Sequence, residues 1–233
     1  MLEATYRVRK RNKVGQYLLS RFGRLVYSLF ARPVVEGIEN VPPVGPYIIV
    51  FNHLSIFEPP FVLTHWPSLT VPLGAAEVWK EKDKTLLAHM WGGIPIDRDN
   101  YHREPLNQVV AALRAGYPVV MAPEGRISRV PGLRRGKLGL ALVLEQFNVP
   151  VVPVGVVGST SDFLIQAIKF KRPEIKMVIG KPFSIVFPQI VAGNRKQAYQ
   201  RVVDEVMAHI ALILPEAYRG EYANYQTFLS EAA

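Results

Sequence analysis

The chain has 233 residues, 49% of them hydrophobic and 20% charged, and this composition excludes an intrinsically disordered protein. It contains no cysteine, which excludes disulfides, thiolate metal ligands and a cysteine nucleophile. The formal net charge of +9 is uneven, because residues 1–32 carry +7 of it from one acid, Glu3, and the basic residues Arg7, Arg9, Lys10, Arg11, Lys13, Arg21, Arg24 and Arg32.

Residues 5–31 predict a helix, because large apolar residues recur at steps of three and four: Val14, Leu18, Phe22, Leu25, Val26, Leu29 and Phe30. No apolar run reaches the roughly 18 residues of a membrane span, and we predict no signal peptide. Three interpretations follow: a helix lying in a membrane interface, an amphipathic helix packed on the main domain with solvated charges, or a nucleic-acid contact. Since no recognisable nucleic-acid motif accompanies the basic residues, nucleic acid is not an expected partner.

Pro33 ends this helix and marks the one predicted boundary, between a basic amphipathic segment at 1–33 and an α/β domain at 34–233. In the domain, predicted strands at 34–38, 47–51, 69–75, 94–98, 118–122, 149–158 and 175–179 alternate with predicted helices at 59–66, 80–90, 104–115, 138–146 and 197–214. Residues 159–172 suggest a short helix or an apolar excursion, and the tail from Arg219 is polar. The pattern predicts an α/β fold with a mixed, largely parallel sheet flanked by helices, whose ligands bind where strands end.

His53 and Glu58 follow the apolar strand 47–51. On one continuous helix five residues turn through about 500°, so the two side chains would not share a face. Because Glu58 precedes a proline and Pro59 suits a first helical turn, we predict a loop carrying His53 and then a helix starting near Glu58. A carboxylate that holds one imidazole nitrogen leaves the other free to take a proton from a hydroxyl. The alternative is a histidine with a purely structural hydrogen bond.

Two further strand ends carry polar clusters. One is Asp97 with Arg98, and the other is the loop with Glu124, Gly125, Arg126, Ser128 and Arg129. Arginines grouped after a strand suit a phosphate, because the guanidinium fork matches its oxygens. The alternatives are a surface ion pair at Asp97 and Arg98 and solvated charges in the second loop. The other histidines have no recognisable ligand spacing, so no metal site is predicted.

In this order the clusters resemble the four motifs of the glycerolipid acyltransferase family, the 1-acylglycerol-3-phosphate (lysophosphatidic acid) acyltransferases and their relatives. Residues 52–58, N-H-L-S-I-F-E, are similar to the family's N-H-x4-D, and residues 93–98, G-I-P-I-D-R, resemble its G-x-I-x-I-D-R block. Residues 123–128, P-E-G-R-I-S, resemble P-E-G-T-R-S, and residues 149–154 match its V-P-V-V-P-V strand.

The resemblance implies transfer of a fatty acyl group from acyl-CoA or acyl-carrier protein to the free hydroxyl of a lysophospholipid, first of all 1-acyl-sn-glycerol-3-phosphate, giving phosphatidic acid. His53 would be the general base, Glu58 would orient it, and backbone N–H groups near Gly125 would hold the oxyanion. No metal, cofactor or covalent intermediate is required. The lipid phosphate would be bound by Arg98, Glu124, Gly125, Arg126, Ser128 and Arg129. The alternatives are a different lysophospholipid head group, or a non-catalytic lipid-binding relative.

A family that works on lipids favours the membrane interpretation of the N-terminal helix. We expect a peripheral or monotopic protein on the cytoplasmic face of a membrane, with membrane lipids, the lysophospholipid and the acyl donor as partners. The expected membrane contacts are Arg7, Arg9, Lys10, Arg11, Lys13, Phe22, Leu25 and Phe30.

Two positions depart from the family pattern. Glu58 replaces the family's aspartate, and the extra methylene moves the carboxylate by roughly 1.5 Å unless the backbone adjusts. Arg126 stands at the threonine position of the third motif, with Ile127 at its arginine position. The acceptor head group is therefore left open by the sequence.

Overall fold

The computed structural model describes residues 6–80, 82–97, 103–128, 132–189 and 193–229. The strands are β1 Arg32–Glu36, β2 Ile48–Phe51, β3 Val71–Ala75, β4 Ile94–Ile96, β5 Val119–Met121, β6 Val151–Val157 and β7 Glu174–Ile179. The helices are α1 Lys10–Phe30, α2 Glu58–His65, α3 Lys82–Trp91, α4 Arg103–Arg114, α5 Gly139–Gln146, α6 Phe163–Ile168 and α7 Arg195–Leu212.

The described strands form one seven-stranded sheet in the order β1-β7-β6-β2-β5-β3-β4. All neighbouring strands are parallel except β6 and β7, which are antiparallel. The predicted α/β fold with a mixed, largely parallel sheet is confirmed. Because β2 lies between the parallel strands β5 and β6, the loops that follow these three strands meet at one edge of the sheet.

Helices cover both faces of the sheet, and the alternation along β2 shows how. Ile48 and Val50 point into a core with residues of α4, α5 and α7, while Ile49 and Phe51 point into a second core with residues of α1, α2 and α6. Both faces of β2 are buried, which accounts for its continuous apolar sequence.

The N-terminal helix begins at Lys10, so the prediction that it starts at residue 5 was wrong. Tyr6 to Arg9 are not helical. Val8 is buried in the core, and the Tyr6 ring meets the Tyr117 ring edge-on with centroids 6.0 Å apart. These apolar contacts hold the segment against the domain in a non-helical conformation and delay the first helical turn.

Helix α1 packs on the domain through its polar side. Asn12 and Gln16 are buried. The Asn12 amide donates to the His89 carbonyl (2.6 Å), and the Gln16 amide donates to the carbonyls of Thr70 (2.9 Å) and Trp91 (2.8 Å). His89 and Trp91 lie in the last turn of α3, where carbonyl groups have no partner within the helix. Polar side chains of α1 therefore satisfy the carbonyl end of α3.

Two glycines allow this close packing. A Cβ atom on Gly15 would lie 2.6 Å from the Met90 carbonyl oxygen of α3, and one on Gly23 would lie 2.4 Å from the Thr64 methyl group of α2. Directly after Gly23, Arg24 Nε donates to the Thr64 carbonyl at 2.7 Å, at the end of α2. The inward side of α1 is thus built from small and polar residues that fit the ends of α2 and α3.

The apolar side of α1 points away from the protein. We call this the outer face; its residues are all exposed and comprise Val14, Tyr17, Leu18, Phe22, Leu25 and Leu29. The helix does pack on the domain, as one interpretation predicted, but it leaves these six residues in solvent and buries only Tyr27 among its large apolar side chains. None of the helices that the structure describes is long and apolar enough to cross a membrane.

The C-terminal segment was predicted as a simple polar tail, but it folds back onto the domain. Short 3-10 turns span Glu216–Tyr218, Gly220–Tyr222 and Tyr225–Phe228. Tyr222 is buried, and its hydroxyl donates to Asp204 of α7 at 2.7 Å and accepts from the Gly136 N–H at 3.3 Å. Leu133 adds backbone hydrogen bonds to Tyr218 (3.0 Å) and Glu221 (2.9 Å), so a segment whose composition looks polar is anchored on the domain.

Candidate active site

His53 lies in the loop after β2, and its backbone is fixed from both sides. Its N–H donates to the Glu124 carboxylate at 2.8 Å, and its carbonyl accepts from the Ser128 N–H at 2.7 Å. Glu124 and Ser128 belong to the loop after β5. The predicted meeting of the first and third clusters at one sheet edge is therefore present in the structure.

Asn52 extends the pairing of β2 and β6 beyond the end of β2. Its buried side-chain amide donates to the Val156 carbonyl at 2.8 Å and accepts from the Val156 N–H at 2.6 Å. The amide reproduces the two hydrogen bonds of a strand residue. It holds the chain immediately before His53 against β6, so the backbone that carries the imidazole is fixed in place.

Glu58 is the first residue of α2, as predicted, and its exposed fraction is 0%. Its Oε2 lies 3.2 Å from His53 Nδ1 and accepts from the Ser55 N–H at 2.7 Å. Its Oε1 accepts from the Ser55 hydroxyl at 2.9 Å and from the Ser159 hydroxyl. Three donors besides the imidazole suit an ionised carboxylate in a buried site. With Glu58 ionised and accepting, the Nδ1 hydrogen lies on this contact and Nε2 keeps its lone pair.

Ser159 was missed by the sequence analysis, and Ser55 was seen only as a letter of the motif. Ser159 is buried and comes two residues after β6 ends, in a stretch whose structure the sequence left open. The signal was present, because a serine directly after a buried parallel strand lies at the same sheet edge as the other clusters. Gly158 makes the turn with a φ of 93°, in the region that favours glycine.

Glu124 was predicted among the phosphate-binding residues, and the structure places it behind the site. It is buried, and its two oxygens accept from the backbone N–H groups of His53 (2.8 Å) and Arg134 (3.0 Å). Burial raises the pKa of Glu124 to about 7, against the opposing effect of these hydrogen bonds and of the Arg134 charge. Its carboxyl group links the backbone of His53 to that of Arg134 and so helps to fix the position of His53.

The basic residues at this edge are only partly those predicted. Arg126 is exposed in the loop beside His53. The structure adds Arg134 and Lys137, which the sequence had placed only before a helix: the Arg134 N–H meets Glu124, and the Lys137 N–H donates to the Pro123 carbonyl at 2.8 Å. A Cβ atom on Gly125 would lie 3.3 Å from the Lys137 side chain, so this stem passes over the glycine.

The structure describes the other predicted residues only in part. Arg98 and Arg129 lie outside the described residues. Asp97, just before Arg98, follows β4 at three strand spacings from β2, or roughly 14 Å. The Gly125 N–H, expected near the oxyanion, already donates to the Ala122 carbonyl at 3.1 Å. In the described ranges, no three His, Asp or Glu side chains come close enough together to hold a metal ion.

The predicted membrane contacts lie on α1 and just before it. Arg7, Arg9, Lys10, Arg11 and Lys13 are exposed, as are Phe22 and Leu25, while Phe30 is half-buried. The membrane role of these residues remains a prediction.

With this geometry in view, the chain can be compared with known proteins. Residues 32–157 match the family model described as Acyltransferase, which is more than half of the chain and runs from β1 to the end of β6. The fold is similar to that of the 1-acyl-sn-glycerophosphate (LPA) acyltransferase PlsC from Thermotoga maritima, with a TM-score of 0.60 and 22% sequence identity over 85% of this chain and 82% of the other. His53, Glu58 and Glu124 all lie inside the matched range, whereas α1 and α6 lie outside it. The chain belongs to the acyltransferase family.

Proposed function

We propose that the protein transfers a fatty acyl group from acyl-CoA or acyl-carrier protein to the free hydroxyl of a lysophospholipid, and that 1-acyl-sn-glycerol-3-phosphate is the acceptor, giving phosphatidic acid. The observation that carries this proposal is the His53–Glu58 pair, with Nδ1 3.2 Å from a buried carboxylate. The acyltransferase family and the likeness to a lysophosphatidic acid acyltransferase support the substrate class.

In the proposed reaction His53 Nε2 removes the proton of the acceptor hydroxyl as its oxygen attacks the thioester carbonyl carbon. The tetrahedral intermediate collapses, the C–S bond breaks, and the imidazolium returns its proton to the leaving thiolate. Glu58 holds the imidazole in the required tautomer and stabilises its charged form. A positioned base of this kind contributes about 10²- to 10⁴-fold to the rate.

The acceptor phosphate in this proposal is bound by the cations after β5. Arg126, Arg134 and Lys137 are exposed side chains in the loops that surround His53. Arg98 and Arg129 are proposed to complete the phosphate site. Glu124 acts by positioning, since its oxygens are taken by two backbone N–H groups.

The membrane part of the proposal rests on the outer face of α1. Six large side chains of one helix face are exposed, and basic residues precede and flank them. A helix of this kind binds at the interface of an anionic membrane through apolar burial and charge. We propose a peripheral or monotopic protein on the cytoplasmic face of a membrane, where its acceptor resides.

The test is thiol release from palmitoyl-CoA in vesicles that contain lysophosphatidic acid, with wild type and His53→Ala compared. Because the chain has no cysteine, the protein adds no thiol background. We expect release that requires the acceptor and falls about 10²- to 10⁴-fold in His53→Ala. Lysolipid binding without release, with an acyl-carrier-protein donor also tried, would identify a non-catalytic lipid-binding relative.

A second candidate differs only in the head group. Arg126 stands where the family motif has threonine, and Ile127 where it has arginine. Moving the guanidinium by one residue changes which oxygens it reaches, so the second candidate acceptor is a lysophospholipid with another head group. Competition between lysophosphatidic acid and lysophosphatidylcholine in the same assay decides between the two acceptors.

A further inference from the structure

The short helix α6 also exposes apolar side chains. Leu164, Ile165 and Ile168 are exposed, and Phe170, in the loop that follows, is 63% exposed. Phe163 and Ala167 of the same helix are buried, so α6 is held on the domain by one side. Four large apolar side chains remain in solvent over seven residues. Such clusters on a soluble surface mark a site of interaction.

This cluster is joined to the end of α1. The Phe170 and Phe30 rings lie with centroids 5.2 Å apart. The Arg172 guanidinium donates to the carbonyls of Ser28 (2.8 Å) and Ala31 (3.4 Å), which belong to the last turn of α1 and its C-cap. Phe30 follows Leu29 of the outer face. Phe30 itself is half-buried and points about 100° away from Leu29 around the helix. The Phe30–Phe170 contact therefore joins the α6 cluster to the C-terminal end of α1, beside the outer face.

The backbone holds this arrangement at a cost. Phe170 and Arg172 have φ values of 52° and 49°, and they are the only non-glycine residues with positive φ in the described ranges. Such conformations are strained for residues with a side chain and persist where the surroundings enforce them. Here they leave the Phe170 ring in solvent while the Arg172 side chain reaches α1.

The two segments that form this surface carry cations and no carboxylate. Lys169, Lys171 and Arg172 are exposed between and beside the apolar residues. No acidic residue occurs from Phe163 to Pro173, and none occurs from Lys10 to Arg32. Two exposed carboxylates, Asp162 at the N-cap of α6 and Glu174 at the start of β7, lie just outside the α6 segment. An apolar surface that itself carries only cations complements an anionic lipid surface.

Both helices that carry this surface contact the catalytic loop at Phe57, directly before Glu58, through buried residues on their inward sides. The Tyr27 hydroxyl of α1 donates to the Phe57 carbonyl at 2.8 Å. The Phe57 ring packs on Phe163 of α6, with centroids 5.1 Å apart. The loop that carries the histidine–carboxylate pair is held between the two helices.

We propose that α6 and residues 169–172, joined to the end of α1, form together with the outer face of α1 one docking surface for an anionic phospholipid bilayer. This inference deepens the proposed function, on which it rests for the bilayer as the source of the acceptor. The bilayer contacts both helices that flank Phe57, so docking places the His53 loop at the lipid surface. The surface extends beyond the N-terminal helix, which by itself was the predicted membrane element.

The experiment is flotation of the full chain with phosphatidylcholine vesicles that contain phosphatidylglycerol, without acyl donor or acceptor. Ile165→Ser/Ile168→Ser alters the α6 cluster, and Phe22→Ser/Leu25→Ser alters the outer face of α1. The matched control is Val44→Ser/Val186→Ser, because both valines are exposed apolar residues outside the surface. We expect each surface variant to bind about tenfold or more weakly and the control to bind as wild type.

The cationic border is tested separately with Lys169→Gln/Lys171→Gln. Its binding to anionic vesicles should fall by about fivefold per lysine at low salt and be unchanged on pure phosphatidylcholine. Circular dichroism melting of every variant verifies that it is folded. Because vesicle binding is measured without acyl donor or acceptor, it can be interpreted even if the protein proves unable to transfer acyl groups.

Three results would overturn the proposal. The α6 variant could bind vesicles as tightly as wild type while the α1 variant does not, which would restrict docking to α1. The control could lose as much binding as the α6 variant. Wild type could sediment as a dimer that the α6 variant converts to a monomer, which would assign the surface to a second copy of the chain.

Discussion

Helices α1 and α4 have similar amphipathic sequences and opposite orientations. In α4 the apolar residues face the protein, and Leu106, Val109 and Leu113 are buried against the sheet. In α1 the apolar residues face solvent, with Leu25 65% exposed, while Asn12 and Gln16 are buried. Two amphipathic helices of the same protein therefore bury opposite sides: α4 buries its apolar side and α1 buries its polar side.

The difference lies in what each helix meets. Helix α4 covers the apolar face of strands, so burial of its apolar stripe is favourable. Helix α1 crosses the ends of α2 and α3, where carbonyl groups need donors, and Asn12, Gln16 and Arg24 supply them. An amphipathic period shows that a helix has an apolar side but not which side faces the protein. On α1 the apolar side is left for a partner of another kind.

The largest effect on stability should come from truncating the buried side of α4. Leu113 is 0% exposed, so Leu113→Ala should lower the free energy of unfolding by about 2–5 kcal/mol. Urea unfolding measures this loss. Vesicle binding by the folded fraction should not change, and a parallel loss of binding would show that the two helices are not separate in function.

The next largest loss of stability should come from the inward side of α1, where replacing a buried polar residue by an apolar one should destabilise the protein. Gln16→Leu places an apolar residue at a buried position, yet it should destabilise by about 1–3 kcal/mol, because the Thr70 and Trp91 carbonyls lose their donor. Gln146→Leu is the control on exposed α5 surface and should stay within about 0.5 kcal/mol. A neutral or stabilising Gln16→Leu in urea unfolding would contradict the polar docking of α1.

Acid should weaken the contact between α1 and α2. Burial, aided by the Arg24 charge, lowers the pKa of His65, whose ring lies 5.6 Å from the Tyr27 ring of α1. Just below the ordinary pKa of 6.5, His65 binds a proton in the unfolded chain but not in the folded protein. The contribution of neutral His65 to the free energy of unfolding is therefore fully present above pH 6.5 and is lost as the pH falls through the folded pKa. His65→Phe keeps an aromatic ring and should remove this part of the pH dependence of unfolding. An identical pH profile in the variant would show that His65 does not contribute.

The smallest effect on stability belongs to the outer face. Leu25→Ser should change the free energy of unfolding by no more than about 0.5 kcal/mol, because the side chain loses little burial. The same change should weaken vesicle flotation, since the side chain loses its place among lipid chains. A large destabilisation would mean that this face packs on protein in solution.

The sequence was informative about the fold where one type of interaction dominates. Continuous apolar runs such as Ile48–Phe51 and Val151–Val157 predicted strands buried on both faces, and these form the centre of the sheet. Element ends were less predictable, because they depend on tertiary contacts. Val8 fixes the start of α1, and Tyr222 anchors a tail that its composition describes as polar.

In the candidate site too, features set by the local sequence were predictable and features set by tertiary contacts were not. The loop and helix start that bring Glu58 to His53 followed from Pro59 and the strand before them. Ser159 could not be assigned, because its partner is a carboxylate 101 residues away in sequence and the intervening topology decides their meeting. The extra methylene of Glu58 is accommodated by this arrangement, in which two serines and the imidazole contact the carboxylate.

The orientation of α1 is tested most directly by fluorescence, which the absence of cysteine makes possible. Leu25→Cys on the outer face and Asn107→Cys on the exposed side of α4 each receive one environment-sensitive label. On vesicles that contain phosphatidylglycerol, we predict a blue shift at position 25 and none at position 107. Shifts that are equal at the two positions, or absent at position 25, would contradict a membrane-facing α1.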